Sequence, residues 1–454
     1  MAQKAKFASK IGLVAATVGS AIGLGNVWRF PAEVQANGGA AFLVVYVLCV
    51  LLLGIPVMLA EFSLGRSAGT DAVGAYRKFS PRSPWWLAGA LPVLASYLIL
   101  SFYMVVAGWT LEYFVQSLSG ALYAGTADAS GAVLDGVFRD RMREYICGSS
   151  GPLLNTYALI LLNLGVLLFG VRKGIERLSN VLMPLLFVLL LVFCGVSMSL
   201  PGAADGLRFF FAPDFSKITP AVVISALGQA FFSLSLGMGI LITYAAYYPK
   251  KTRLMRTAVT VSLLDMMAAI LMGVVIFPAV TSFGLGDAEL EGTALVFVTL
   301  PEVFARMPCT QLWSVLFFLL LLVAALTSTV SIAEVSVSFV QNRFRRSRRA
   351  ACLIVLLPLF VLSALSALSF GSLSGLKLCG LVFFDFLDTL ATNIMLPVAS
   401  ILLCLFIGWR RPGVLRGELS NYAEADHRLQ RPVAFVLRWI APALILIVLV
   451  SGLL

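Results

Sequence analysis

Within Gly-Ser-Ala-Ile-Gly-Leu-Gly-Asn-Val-Trp-Arg-Phe-Pro (residues 19–31), three glycines, an asparagine, an arginine and a proline interrupt an otherwise apolar segment. Glycine costs about 1 kcal/mol per helical position relative to alanine, and backbone groups left unpaired in lipid add to that cost. Such a break is tolerated only where it lines a protein-enclosed cavity and the freed carbonyls find another partner. A cation or a small polar solute would serve. A second segment, Gln-Ala-Phe-Phe-Ser-Leu-Ser-Leu-Gly-Met-Gly (229–239), again mixes hydroxyls with glycines inside an apolar run. Asp265 is flanked on both sides by apolar residues, 263–264 and 266–270. An ionisable side chain in that setting is a functional candidate by default. Carbonyls, hydroxyls and a carboxylate suit a cation, while the N-terminal ends of half-helices offer N–H groups and a positive dipole end to a carboxylate.

The elements that position these residues are membrane helices. The chain has 454 residues, 60% hydrophobic and 12% charged, with a mean hydropathy of +0.97. A soluble protein of this size needs more polar surface, so the reading is an all-α polytopic membrane protein. Eleven runs are long enough to cross a bilayer, roughly at 11–35, 40–65, 86–117, 153–170, 177–200, 219–247, 254–284, 311–341, 351–369, 376–408 and 433–454. The first lacks a small-residue cleavage site and flows into the glycine-rich break, which disfavours a cleaved signal peptide. The net charge of +11 invites a nucleic-acid reading. Its distribution excludes one. With the N-terminus inside, cytoplasmic loops hold 24 of the 33 Lys and Arg residues, the other side 7, and Arg29 and Arg438 lie within spans. That alternation is the positive-inside rule and predicts a cytoplasmic N-terminus and an outside C-terminus.

No soluble domain is expected. The whole chain, 1–454, reads as a single transmembrane domain. The two interrupted spans are the first and the sixth, and repeats of five spans have opposite orientation in the membrane. Residues 1–200 and 201–409 are therefore expected to be inverted repeats, with 410–454 adding a cytoplasmic loop and an eleventh helix. Paired broken helices point to a binding site between such repeats. The single histidine, His427, falls in the last cytoplasmic loop, which excludes a histidine-based metal site. None of the seven cysteines has CxxC spacing, and most lie in spans as small apolar residues. Cys147 and Cys309 share the outer side, and the sequence leaves open whether they pair.

These residues resemble the neurotransmitter:sodium symporter family, in its bacterial amino-acid branch. The resemblance rests on seven motifs in order: 19–31, Asn-Gly-Gly-Ala-Ala-Phe (37–42), Gly-Ile-Pro-Val-Met-Leu-Ala-Glu (54–61), Lys-Gly-Ile-Glu-Arg (173–177), 229–239, Leu-Thr-Ser (326–328) and Phe-Asp-Phe-Leu-Asp (384–388). It implies a sodium-dependent symporter for amino acids, working by alternating access as spans 1, 2, 6 and 7 rock against the rest. It also implies two sodium sites. One would use the backbone of Gly19, Ile22 and Ala324 with the hydroxyls of Thr327 and Ser328. Alone, that hydroxyl pair reads as Ser/Thr side chains bonded back to their own helix. The second would use the Ala21 carbonyl, Asn26, Ser233 and Asp265, where members commonly have Asn. Chloride-binding members hold their anion near the positions of Tyr46, Gln229 and Ser233. The fixed charge of Asp265 there implies independence from chloride.

For the substrate, the resemblance implies the Leu24 and Gly25 amides and the Tyr103 hydroxyl on a carboxylate. Carbonyls near Phe232 and Ser235 would receive the ammonium. Monoamine carriers of the family have Asp where this chain has Gly23, so the substrate is expected to bring its own carboxylate. Ile99, Phe232, Met238, Ser328 and Ile332 would surround its side chain; all but Ser328 are apolar, which favours neutral, hydrophobic amino acids. Read alone, Tyr103 and these apolar residues are ordinary interior packing. Arg29 and Asp388 match an outer gate, for which Glu33, one turn on from Arg29, would compete. The inner Arg–Asp gate is not kept, since Lys4 and Asn342 stand in its places, and Glu334 with Tyr247 is the candidate substitute. Glu61 reads as a structural hydrogen-bonding acid. An ATP-driven pump is excluded by the lack of a GxxxxGK[ST] loop, and an enzyme by the lack of a titratable cluster. A channel suits two broken helices less well than an occluded site does. The alternatives left open are a non-transporting binding or scaffold protein of the same fold and a symporter for another small carboxylate-bearing solute.

Overall fold

The computed structural model describes residues 6–126, 131–285, 292–420 and 427–452. Among these, nine helices are long and apolar enough to cross a membrane: Ala40–Ala68, Trp86–Ser119, Ser150–Leu168, Val171–Met198, Leu254–Ser282, Thr310–Phe344, Arg348–Leu368, Phe383–Arg410 and Leu429–Ser451. A tenth crossing is the pair Lys10–Ala21 and Gly25–Ala36, bent by 57° at the first glycine-rich break. The expected sixth span is present as two pieces, Pro220–Ser233 and Ile240–Ala245. Neither piece is long enough to cross alone, because six residues between them are not helical.

Local chemistry sets these ends. Ser9 starts the first helix by accepting the Gly12 amide at 2.9 Å. The Glu176 carboxylate accepts the Ala8 and Ser9 amides at 2.8 and 3.1 Å, so the 173–177 motif anchors the N-terminal segment. Thr219 caps the first half of the sixth span and Pro220 occupies its first turn, where a missing N–H costs nothing. In the second break Ser235, Gly237 and Gly239 all adopt positive φ, at 53°, 77° and 72°. A non-glycine residue held there stores strain, as is common at functional sites. The Gly237 amide donates to Glu61 at 2.7 Å, which ties the break to the second span.

The core lies along the longest helices. Thr310–Phe344 is 78% buried in its apolar window and Trp86–Ser119 is 72% buried, and the two pack along each other. Leu429–Ser451 is only 22% buried and presents Leu446, Ile447 and Val450 outward, as a lipid-facing helix does.

The structure corrects several boundaries. The fifth span starts at Val171 instead of 177, through a π-helical turn, Val171–Glu176. The tenth starts at Phe383 instead of 376, because Lys377–Leu378 and Leu381–Val382 pair as a two-stranded hairpin. Its turn, Cys379-Gly380, has φ of 51° and 84°. The segments between the expected spans contain further helices, including Gly131–Cys147, Leu295–Ala305 and Pro412–Leu419. Cys147 and Cys309 are both free. The backbone of His427 lies in a helix, but its side chain falls outside the described residues.

Candidate functional site

The two breaks meet in the middle of the protein. The Ser235 hydroxyl donates to the Ser20 carbonyl at 2.9 Å, joining the second break to the last turn of the first half-helix. Beside them is a small cavity of about 30 Å³. Ala21, Gly23, Gly25, Ile99, Tyr103, Phe232, Ser235, Met238, Ser328 and Ile332 all line it. Leu24 is the one expected substrate residue that does not, yet its amide donates to the Tyr103 hydroxyl at 2.9 Å. The Tyr103 hydroxyl therefore already faces the start of the half-helix. A Cβ on Gly23 would lie 2.7 Å from Ser328 Oγ and 2.8 Å from the Tyr103 hydroxyl, so no larger residue fits there without displacement. The Phe232 carbonyl accepts the Ser235 amide at 3.1 Å and that of Met238 accepts Ser96 Oγ at 2.5 Å.

On one side of this cavity a group of polar residues converges. Asp265 is fully buried. Its two carboxylate oxygens accept Ser233 Oγ at 2.6 Å and Asn26 Nδ2 at 2.8 Å. Asn26 also reaches Ser233 Oγ at 3.2 Å, and its Oδ1 accepts the Gly23 amide at 3.4 Å. Ala21, which ends the first half-helix, lines the same cavity. The Tyr46 hydroxyl donates to Ser233 at 3.3 Å, and Gln229 Nε2 to the Gly25 carbonyl at 3.4 Å. Among the described residues, no cationic side chain pairs with Asp265.

On the other side, the eighth span meets the end of the first half-helix. Ser328 Oγ lies 3.5 Å from the Gly19 carbonyl and 3.3 Å from that of Ile22. Thr327 instead bonds back to Val323 and Ala324 at 3.2 and 3.0 Å. Gly19, Ile22, Ala324, Thr327 and Ser328 are thus brought together, with Ser328 the hydroxyl that crosses between helices. Ser20 was missed as a cavity residue. Its place inside the 19–31 motif was the available signal.

The outer gate differs from expectation. Arg29 pairs with Glu33, Nε to Oε1 at 3.7 Å, and lies 4.7 Å over the Phe232 ring. It makes no ion pair with Asp388, whose carboxylate accepts Thr392 Oγ1 at 3.3 Å. The physical reason is proximity: Glu33 is one turn away on the same half-helix, and Ser225 and Asn37 hold its other oxygen. At the inner end Lys4 lies outside the described residues, and among those described Asn342 bonds to Ser338 at 3.3 Å. Tyr247 donates to Glu334 Oε1 at 2.9 Å. Glu334, fully buried, is held by both terminal nitrogens of Arg348 at 2.9 and 2.6 Å. Arg348 also donates to the Leu167 carbonyl at 2.8 Å. Sequence reasoning missed Arg348 because it sits in a run of loop arginines that reads as topology. Phe7 closes this end among the rings of Tyr244, Tyr247 and Tyr248.

Comparison with known proteins accords with this architecture. A family model for the sodium:neurotransmitter symporter family matches residues 4–130 and 146–454. An uncharacterised sodium-dependent transporter of Bacillus subtilis, YhdH, is 37% identical over 447 residues, 98% of this chain and 97% of its own length. One from Methanocaldococcus jannaschii is 35% identical over 93% of this chain and 85% of its own length. The crystal structure of MhsT in complex with L-phenylalanine superposes with a TM-score of 0.88 at 41% identity, covering 99% of this chain and 100% of that one. The chain is a multi-pass membrane transporter, not an enzyme, and belongs to the sodium:neurotransmitter symporter family.

Proposed function

We propose that this protein imports neutral, hydrophobic amino acids together with sodium, and does so without chloride. The observation that carries the proposal is Asp265, a fully buried carboxylate with no described cationic partner, beside two broken helices. A buried charge left uncompensated costs several kcal/mol, and an arriving cation removes that cost. Asn26, Ser233 and the Ala21 carbonyl supply neutral oxygens around it, so one negative charge meets one positive charge. A further anion would have nothing to balance. The second cation would sit among the Gly19 and Ile22 carbonyls and the Ser328 and Thr327 hydroxyls.

The substrate follows from what the cavity offers. Amides at the start of the half-helix, with Tyr103, receive a carboxylate. Gly23 leaves no room for a protein carboxylate in its place. Around the remaining space, Ile99, Phe232, Met238 and Ile332 are apolar, and a charged substrate side chain would be buried without a partner. The phenylalanine in the MhsT crystal structure fits that chemistry. At about 30 Å³ the cavity is smaller than such a side chain. Binding must therefore spread its walls, and Met238 and the half-buried Phe232 are the adaptable ones. Arg29 would leave Glu33 for Asp388 as the outer side closes. The Tyr247–Glu334–Arg348 cluster would open when the inner side does. We read 1–200 and 201–409 as the inverted repeats that perform this motion, in a plasma membrane with the N-terminus inside.

Equilibrium binding of labelled phenylalanine to the purified protein, with an unlabelled competition panel, tests the substrate class. Displacement by leucine, tyrosine and tryptophan but not by lysine or glutamate is expected, and only in sodium. Equal displacement by a charged amino acid would overturn the assignment.

A further inference from the structure

Away from the broken helices, a cavity of about 540 Å³ opens where the helix Pro412–Leu419 meets the start of the last span. That volume lies within the range of small-ligand sites. Three guanidinium groups line it, those of Arg416, Arg431 and Arg438, together with Gln430, Phe435 and Trp439. No carboxylate lines it among the described residues. The acid of the same short helix, Glu418, is ion-paired with Arg66 of the second span. Arg416 and Arg431 are exposed, and neither has a partner among the described residues. Arg438 donates its Nε to the Gly408 carbonyl at 2.7 Å, and among the described residues its terminal nitrogens have no partner.

Three like charges on one wall repel each other until an anion joins them. The arginine fork matches the oxygens of a phosphate, which it binds through paired N–H groups. The rest of the wall narrows the source of that phosphate. Phe435 and Trp439 are each 56% exposed, and Trp409, which stands edge-on to Trp439 at 4.6 Å, is 51% exposed. Large aromatic surfaces beside a cluster of arginines mark the boundary between headgroups and acyl chains. A free phosphate ion would use the arginines and leave this apolar wall without a function. An amphiphile uses both.

We propose that this cavity binds the phosphodiester headgroup of an anionic membrane lipid. Arg416, Arg431 and Arg438 hold the phosphate, and the first part of an acyl chain lies along Phe435 and Trp439. Basic pockets between membrane helices commonly recognise headgroups in this way. The bound lipid lies against the Pro412–Leu419 helix and the start of the eleventh span, beside Trp409 at the end of the tenth.

The test is native mass spectrometry of the full chain in neutral detergent, titrated with phosphatidylglycerol, with phosphatidylcholine, and with inorganic phosphate as competitor. The double variant R416Q/R431Q removes two exposed charges from the cavity. R343Q/R346Q removes two exposed charges from the end of the Thr310–Phe344 helix and the turn after it. Wild type should retain phosphatidylglycerol over phosphatidylcholine, and R416Q/R431Q should bind it about tenfold or more weakly. The R343Q/R346Q protein should match wild type, and equimolar phosphate should not displace the lipid. Equal loss in both variants would reduce the effect to diffuse surface charge and overturn the site. So would indifference between the two lipids. Displacement by equimolar phosphate would overturn the lipid assignment.

Discussion

Replacing Asp265 by Asn keeps the shape of the side chain and removes its charge. Both hydrogen bonds can be kept in kind: an Asn oxygen accepts Ser233 Oγ, now at 2.6 Å from the carboxylate, and the Asn26 amide can turn to present its own oxygen. Folding should therefore survive. What is lost is the attraction between a unit charge and a cation in a fully buried site. Two unit charges 4 Å apart interact by about 4 kcal/mol at an effective dielectric constant of 20. Part of that is offset because the carboxylate no longer has to be desolvated. A net loss of about 2–3 kcal/mol predicts a half-saturating sodium concentration raised on the order of 100-fold. The assay is sodium-titrated uptake into proteoliposomes, in chloride and in gluconate. Wild type should give one curve in both salts. The variant should be right-shifted in gluconate and partly restored by chloride, because a mobile anion can then stand where the fixed one was. An unchanged sodium curve, or one equally shifted in both salts, would refute the role given to Asp265.

Ser328→Ala removes the hydroxyl that crosses to the Gly19 and Ile22 carbonyls. It should raise the half-saturating sodium concentration about tenfold while thermal stability falls by no more than about 1 kcal/mol, read by uptake and by melting. Gly23→Ala places a methyl group 2.7 Å from Ser328 Oγ and 2.8 Å from the Tyr103 hydroxyl. Overpacking of about 1–3 kcal/mol should weaken amino-acid binding at least fivefold in a labelled-ligand assay, and unchanged binding would place the substrate elsewhere. Arg348→Gln leaves Glu334 buried without its bidentate partner, at a cost of about 3–5 kcal/mol. The melting midpoint should drop, and a cysteine placed on the inner half of the sixth span should label faster from the inside. The double change R348Q/E334Q should recover much of that stability, and its failure to do so would mean the pair is not the source of the effect.

The sequence carried the fold far because bilayer length and glycine-rich breaks are strong local signals. Residues 19–31 and 229–239 are poor helix wherever they are placed, and both are broken in the structure. Asp265 was legible for the same reason, as a charge among apolar neighbours. The elements that escaped are those whose stability comes from tertiary contact. The Lys377–Val382 hairpin looked like the start of a span because its residues are mostly apolar. Arg348 was hidden among neighbouring arginines, and only three-dimensional packing selects it for Glu334. The Arg29–Glu33 pair shows the same limit in reverse. The sequence offered two acids for one guanidinium, and the choice depends on conformation, not on residue type.

The central claim is tested most directly by uptake of labelled phenylalanine into proteoliposomes with and without an inward sodium gradient. Accumulation above equilibrium that requires the gradient, collapses when a sodium ionophore dissipates it, and persists when chloride is replaced by gluconate is the predicted result. Uptake that continues unchanged without sodium, or that is absent for every neutral amino acid offered, would contradict the account.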